Sequence, residues 1–411
     1  MKNQSTTGAL NGIRIIDLTS VVMGPLATQA LADLGADVIK VEPPGGDVTR
    51  YLGPGNDKLL GSHFLHLNRN KRSVVLNLKD HGGREALLKL AETADVLVFN
   101  IRPAAMERLG LDYESVRARN PRLIYVGLVG FGRHGRYANT PAFDDSIQAL
   151  SGMAHALGEY TGTGPQYVPY TVADRSVGLY AFGVISAALI GRERTNRGQS
   201  IEIPMLETMA WLVMGEHLAG HTFDPPQGAY GYQRLLTPFR RPYRTKDGWM
   251  GCTVYTDDHW RKFLELIGHP RLFEDDPRIY NIASRTANID SLYEMIENAL
   301  TTRETAEWIK ELTERGIPAF VVHDFSDVAD DDHLDDVGFF QSHEHPVLGS
   351  ITQLSCPSEW SDSSTDVRML PPTLGEHSQE VLHELGISDY EISQLTSSEY
   401  TSASETEGND G

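Results

Sequence analysis

Apolar residues in the first third of the chain come in short unbroken runs, separated by amphipathic stretches. Ile13-Arg14-Ile15-Ile16-Asp17-Leu18 reads as a buried strand followed by a small-residue loop. Leu26 to Leu34 then reads as a short helix, stopped by Gly35, and Asp37-Val38-Ile39-Lys40-Val41 as the next strand. The pattern repeats: a strand is predicted over Ser73 to Leu78, a helix over Gly82 to Thr93 and a strand over Asp95 to Phe99. A further strand is predicted over Leu123 to Val129. Such alternation predicts an α/β fold, a Rossmann-like parallel sheet with helices on both faces. From Ser146 the signal turns helical, through Gly178–Gly191 and Leu206–Leu218. Phe223 to Pro242, rich in Pro and Gly, reads as a linker. Beyond it, a strand over Trp249 to Val254 and a helix over His259 to Ile267 suggest a smaller α/β domain. Asp324 to Asp336 reads as an acidic, solvated connection, and residues 396–411, rich in Ser, Thr and Glu, as a disordered tail. The expected divisions are residues 1–222, 223–325, 326–395 and the tail.

The 411 residues suffice for two folding units. A formal net charge of −20 argues against non-specific binding to nucleic acid or anionic membrane, while leaving room for a local basic patch that holds an anion. Two cysteines, Cys252 and Cys356, cannot build a disulfide framework and have no metal-type spacing, which fits a reducing compartment. Met1 to Thr7 is polar and lacks the apolar segment of a signal peptide. The most apolar stretch, Gly178 to Gly191, is roughly 14 residues long and ends in Arg192, short for a membrane span and ordinary for a buried helix. A soluble cytoplasmic protein is expected, with no partner among membranes or nucleic acids.

Gly130-Phe131-Gly132-Arg133-His134-Gly135 matches the dinucleotide fingerprint literally and follows a predicted strand. That motif needs a helix to begin at once, so that its first amides meet the pyrophosphate. Here Arg136-Tyr137-Ala138-Asn139-Thr140-Pro141 follows, a poor helix start, and a glycine-rich turn is the preferred reading. His343-Glu344-His345 is spaced as on a strand, but without further ligands nearby it reads as a surface loop and no metal is expected. Neither a Gly-x-Ser-x-Gly elbow nor a phosphate-binding P-loop is present.

Several separated motifs resemble the class III CoA-transferases, the CaiB/BaiF group, from about Leu10 to about Leu385. The opening Gly12 to Leu18, Gly24-Pro25 and Leu34 to Glu42 resemble that family's first βαβ unit. Asn70-Lys71-Arg72-Ser73 with Leu76-Asn77-Leu78-Lys79 is similar to its second, and Ala94-Asp95-Val96 through Asn100-Ile101-Arg102-Pro103, with Arg108 beyond, to its third. The Gly130–Gly135 turn and Leu374-Gly375-Glu376-His377-Ser378 are family-like as well. The family's nucleophilic aspartate falls in a segment resembling Ala173-Asp174-Arg175-Ser176-Val177-Gly178. Asn196 departs from the glycine usual before Arg197-Gly198-Gln199. The resemblance implies Asp174 as the covalent nucleophile and CoA contacts at Val22, Met23, Leu76, Lys79, Asn100, Ile101, Arg102, Arg108 and Asp145. It also implies that residues 326–395 return to the large domain, and a homodimer whose chains interlock like linked rings. No permanent cofactor is implied; coenzyme A and its acyl thioesters are substrates, with a carboxylic acid as the other partner.

Elementary chemistry alone leaves these residues open. An Asp ahead of an apolar helix is a favoured N-cap with no chemistry attached. A carboxylate at a helix start is also expected to be held ionised, the form that attacks a thioester. Lys79, Arg102 and Arg108 sit at or beyond predicted strand ends, where open α/β folds hold ligands, yet each taken singly reads equally as a solvated cation. Lys71 and Arg72 could serve either fold or ligand. A 2-methylacyl-CoA racemase, from the same superfamily, needs an acid–base group on each side of its carbon, and its histidine position carries Phe143 here. A CoA-binding protein without turnover is the third reading. Arg240, Arg241 and Arg244 could meet a second carboxylate, making a dicarboxylic donor such as succinyl-CoA a candidate. The formyl-CoA and oxalate pair is disfavoured, because Gly228-Ala229-Tyr230-Gly231-Tyr232 lacks the run of glycines of that branch.

Overall fold

The computed structural model describes residues 8–396, so the expectations for Met1 to Thr7 and for the tail after Thr396 lie outside the described residues. The chain forms two compact units. Among the described residues, the first comprises 8–147, Tyr170–Met209 and 335–396. Its centre is a six-stranded parallel sheet of β1 (Arg14–Leu18), β2 (Asp37–Glu42), β3 (Lys71–Val75), β4 (Val96–Phe99), β5 (Ile124–Val129) and β6 (Ser200–Pro204), in the order β3-β2-β1-β4-β5-β6. The near-continuous Ile, Val and Leu runs follow from burial on both faces, which helices cover. Strand order reverses between β1 and β4, and a crevice for a ligand opens outside the carboxyl ends of the strands at such a point.

One face carries helices Met23–Asp33 and Val172–Thr195, which pack on each other. The long helix exceeds the apolar run that suggested it. Alone among the described residues, it is long and apolar enough to cross a membrane, with 39% of its most apolar window buried. Arg192, buried in its last turn, pairs with Asp95 at 2.7 Å. Asn196 ends it in the left-handed conformation, φ 56°, a geometry that Asn tolerates and Gly favours.

The C-terminal segment belongs to the same unit. Phe340–His345 pairs antiparallel with Gly349–Leu354. The His343–His345 segment is therefore ordered strand and not surface loop, with His345 buried and its Nε2 3.0 Å from the Pro371 carbonyl oxygen. Helix Ser378–Glu384 docks beside β3: the His377 amide donates to the Ser73 carbonyl, and Ser378 Oγ accepts from the Val75 amide. Arg72 joins Asp37, Glu380 and Glu384, while Lys71 is fully buried against Asp17. Both cations serve the fold.

The second unit comprises Gln148–Pro169 and Ala210–Leu334. Its antiparallel sheet of Tyr243–Arg244, Trp249–Cys252 and Ala319–Val321 packs with Asp257–Leu266, Ile289–Leu300 and Thr305–Glu314 around Trp260, Phe263 and Trp308. The unit boundaries differ from the expected divisions. Gln148–Pro169 joins the smaller unit because helix Met153–Thr161 packs on Gln233–Leu236. The acidic connection is helical, with turns Phe325–Ala329 and Asp332–Asp336; Asp324 and Asp327 form a reciprocal capping box that stabilises the first.

Candidate active site

Two adjoining cavities open at the reversal point of the large sheet. The first, of 790 Å³, is lined by Ser20 to Met23, Asn100 to Ala105, Arg108, the Pro141-Ala142-Phe143 segment, Asp174 and Met205, among others. The second, of 660 Å³, lies over the carboxyl ends of β1 to β3 and takes in Pro43, Asp47, Leu76 to Lys79, Arg108 and Leu109. Ser20, Ile101, Ala105 and Arg108 line both.

Asp174 is the third residue of the long helix, so it lies in the first turn and does not cap it. The N-cap position is Thr171, whose side chain makes no cap bond; instead the Asp174 amide donates to Asp144 Oδ1 at 3.0 Å. A carboxylate thirty positions upstream thus satisfies one of the first-turn amides. One turn on, Gly178 shares the Asp174 face of the helix. A Cβ there would lie 2.6 Å from the Met23 carbonyl oxygen, so glycine permits the helix to close on the first loop.

The half-buried Asp174 carboxyl is pushed up to about 7, first by burial and then by the Asp144 charge, with Arg175 opposing. This corrects the expectation that the helix end holds it ionised: removal from water and a like-charged neighbour outweigh the helix contribution.

The first loop is held from several sides. Asn100 Nδ2 donates to the Ser20 carbonyl at 2.8 Å while its Oδ1 accepts from the Ser20 amide at 3.1 Å. Asn100 therefore shapes the loop as well as lining the cavity. Val22 and Met23 are buried, and Leu76 is a core residue at the floor of the second cavity. Lys79, Arg102 and Arg108 are exposed at the cavity edges, and none has an ion-pair partner among the described residues. Asp145 is exposed and lines neither cavity; its neighbour Asp144 is the one that meets the long helix. Sequence reasoning passed over Asp144, since no spacing ties it to Asp174.

The glycine-rich turn leads into no helix before Asp144. Its Gly132 amide donates to Glu207 at 2.9 Å and its Arg133 amide to Glu202 at 2.8 Å, so carboxylates stand where a pyrophosphate would need to be. Among the described residues, no group of three or more His, Cys, Asp or Glu could hold a metal ion. In the smaller unit Arg241 is engaged by Glu297 at 3.0 Å and Arg244 lies over the Trp249 ring, whereas exposed Arg240 has no such contact among the described residues.

Comparison with known proteins shows the family and the fold. A family model described as CoA-transferase family III matches residues 10–378. An acetyl-CoA:oxalate CoA-transferase of Acetobacter aceti is 37% identical over 326 residues, 78% of this chain and 82% of that one. A succinyl-CoA:glutarate CoA-transferase of Mus musculus is 32% identical, covering 92% of this chain and 86% of the relative. The crystal structure of a CaiB/BaiF family protein from Brucella suis superposes with a TM-score of 0.76 at 30% identity, over 93% of this chain and 100% of the other.

Proposed function

The chain belongs to CoA-transferase family III, and from that premise we propose that it moves CoA from an acyl-CoA donor to a carboxylic acid through covalent intermediates on Asp174. Three basic side chains without carboxylate partners among the described residues, Lys79, Arg102 and Arg108, beside two adjoining cavities, the first of which reaches the partly buried Asp174 carboxyl, carry this reading. In a chain of net charge −20, such cations suit the phosphates of CoA, which they meet by charge-assisted hydrogen bonds. The cavity past Val22, Met23 and Ile101 suits its neutral arm, and burial, Asp144 and Arg175 set the charge state of the nucleophile.

Ionised Asp174 attacks the thioester carbonyl carbon; the C–S bond breaks, CoA leaves as thiolate, and an aspartyl–acyl anhydride forms. The thiolate adds to the aspartyl carbonyl, releasing the donor acid as carboxylate and leaving an aspartyl-CoA thioester. The acceptor carboxylate displaces that thiolate, giving a second anhydride, whose acceptor carbonyl the thiolate then takes. The Asp174 carboxylate is restored. No water, ATP or net proton enters the sequence, and the thioester energy is conserved throughout.

Phe143, 70% exposed in the Asp174 cavity, cannot exchange a proton, which weighs against racemisation. Succinyl-CoA is the proposed donor, supported by the mouse relative's name. A homodimer is proposed as well, because Leu179 and Ile190 on the long helix are 59% and 57% exposed, and interlocking follows the family resemblance alone. Free Cys252 and Cys356 support a cytoplasmic setting.

Incubation with succinyl-CoA or acetyl-CoA and a panel of acids including glutarate and oxalate tests the reading. New acyl-CoA should form, hydroxylamine should trap Asp174 alone, and Asp174→Ala should abolish transfer while still binding CoA. Undiminished transfer by that variant refutes the mechanism.

A further inference from the structure

The loop that shares a cavity with Asp174 is strained. Val21 has φ 71°, a left-handed conformation that a β-branched residue rarely adopts. Such a conformation persists only when its surroundings impose it. Here the imposing groups lie beneath the loop, out of the cavity that Asp174 lines. Asp47 Oδ1 accepts from the Val21 amide at 3.3 Å and from the Thr49 amide at 3.0 Å. Its Oδ2 accepts from Lys40 Nζ at 2.9 Å, and the same ammonium donates to the Thr19 carbonyl at 2.9 Å. The Asp47 amide is itself fixed on Glu42 Oε2 at 3.0 Å. The Lys40 and Asp47 side chains are almost wholly buried, at 0% and 1% exposure. A buried, hydrogen-bonded ion pair is a rigid support, because neither charge can turn to solvent without losing its partner.

Resting on the transferase reading above, we propose that Asp47 is a positioning residue for transfer at Asp174. Through the Val21 amide directly, and through Lys40 on the Thr19 carbonyl, it holds Ser20 to Met23 in the kinked path that forms part of the reaction cavity. Gly178 transmits the position, since the Met23 carbonyl abuts the helix face that carries Asp174. Removing the Asp47 carboxylate lets Val21 relax to negative φ, which shifts this wall relative to the nucleophile. Asp47 touches no reacting atom in this scheme.

Wild type, Asp47→Ala and Asp47→Ala/Val21→Gly, each checked for folding by thermal melt, are compared for kcat and for KM toward the acyl-CoA donor. Asp47→Ala is expected to lose about a hundredfold in kcat, the scale on which ångström misplacement acts. KM should stay within about threefold, as for an interaction felt mainly in the transition state. Glycine at position 21 adopts positive φ without a Cβ penalty, so the double variant should recover about tenfold of the loss. Should Asp47→Ala not fold, Asp47→Ser, whose hydroxyl can still cap the Thr49 turn, replaces it in both variants. Unchanged kcat in the folded variant, or a loss that Val21→Gly does not relieve, overturns the assignment of Asp47. Absence of transfer by the wild-type protein overturns the proposed function instead, and this inference with it.

Discussion

The raised pKa of Asp174 makes a stability measurement report on a catalytic group. In the unfolded chain its carboxyl titrates near the ordinary value of 3.8, whereas in the fold it is pushed up to about 7. Between those values the native state holds a proton that the unfolded state has released, so stability falls as pH rises through the window and levels off above it. Each unit is worth roughly 1.4 kcal/mol, giving roughly 4 kcal/mol for a fully enclosed group. Water reaches this half-buried carboxyl through an open cavity, so about 2 kcal/mol is the expected cost at pH 8. Asp174→Asn is nearly isosteric and neutral at every pH, and it escapes that cost. Urea unfolding of both proteins at half-unit steps from pH 5 to 8.5 should show the variant gaining on wild type up to about pH 7, then a constant difference. Other titrating groups cancel in the comparison. Since the ionised form attacks, kcat/KM of the wild type should rise with pH to a plateau governed by the same ionisation. A stability difference that stays flat from pH 5 to 8.5 would refute the claim that burial and Asp144 hold the proton on Asp174.

Two further outcomes are expected, one from an unpaired cation at the cavity edge and one from a buried ion pair. Arg108→Ala should weaken binding of free CoA, read by calorimetry, by about tenfold, since an exposed cation loses one charge-assisted contact of ~1.4 kcal/mol; unchanged affinity would remove Arg108 from the phosphate site. Lys71→Met leaves fully buried Asp17 without its closest cation, 3.1 Å away, and should cost about 3–5 kcal/mol in urea unfolding. The double variant Asp17→Leu/Lys71→Met should be less destabilised than Lys71→Met alone.

Much of the large unit was legible along the chain. Unbroken apolar runs such as Ile124–Val129 announce strands covered on both faces, and Gly35 marks where the first helix stops. The position of Asp174 in a helical first turn was legible for the same local reason. The charge state of Asp174 was not, because it depends on Asp144 and on burial, neither of which has a period or spacing. The roles of Lys71 and Lys40 were not legible either: a lysine within a strand gives no local sign that its ammonium ends on the Pro25 or the Thr19 carbonyl.

By itself, then, the amino-acid order determined the α/β alternation, the parallel sheet and the motifs that place this chain among CoA-transferases. Those properties arise from side-chain periodicity and backbone preferences acting over a few residues. Only the tertiary structure decided that Lys71 and Arg72 belong to the fold, that Asp144 and not Asp145 meets the long helix, and that Asp47 braces a strained Val21. Electrostatic burial and support across the sheet are set by distances between segments remote in sequence, and no local pattern encodes those distances.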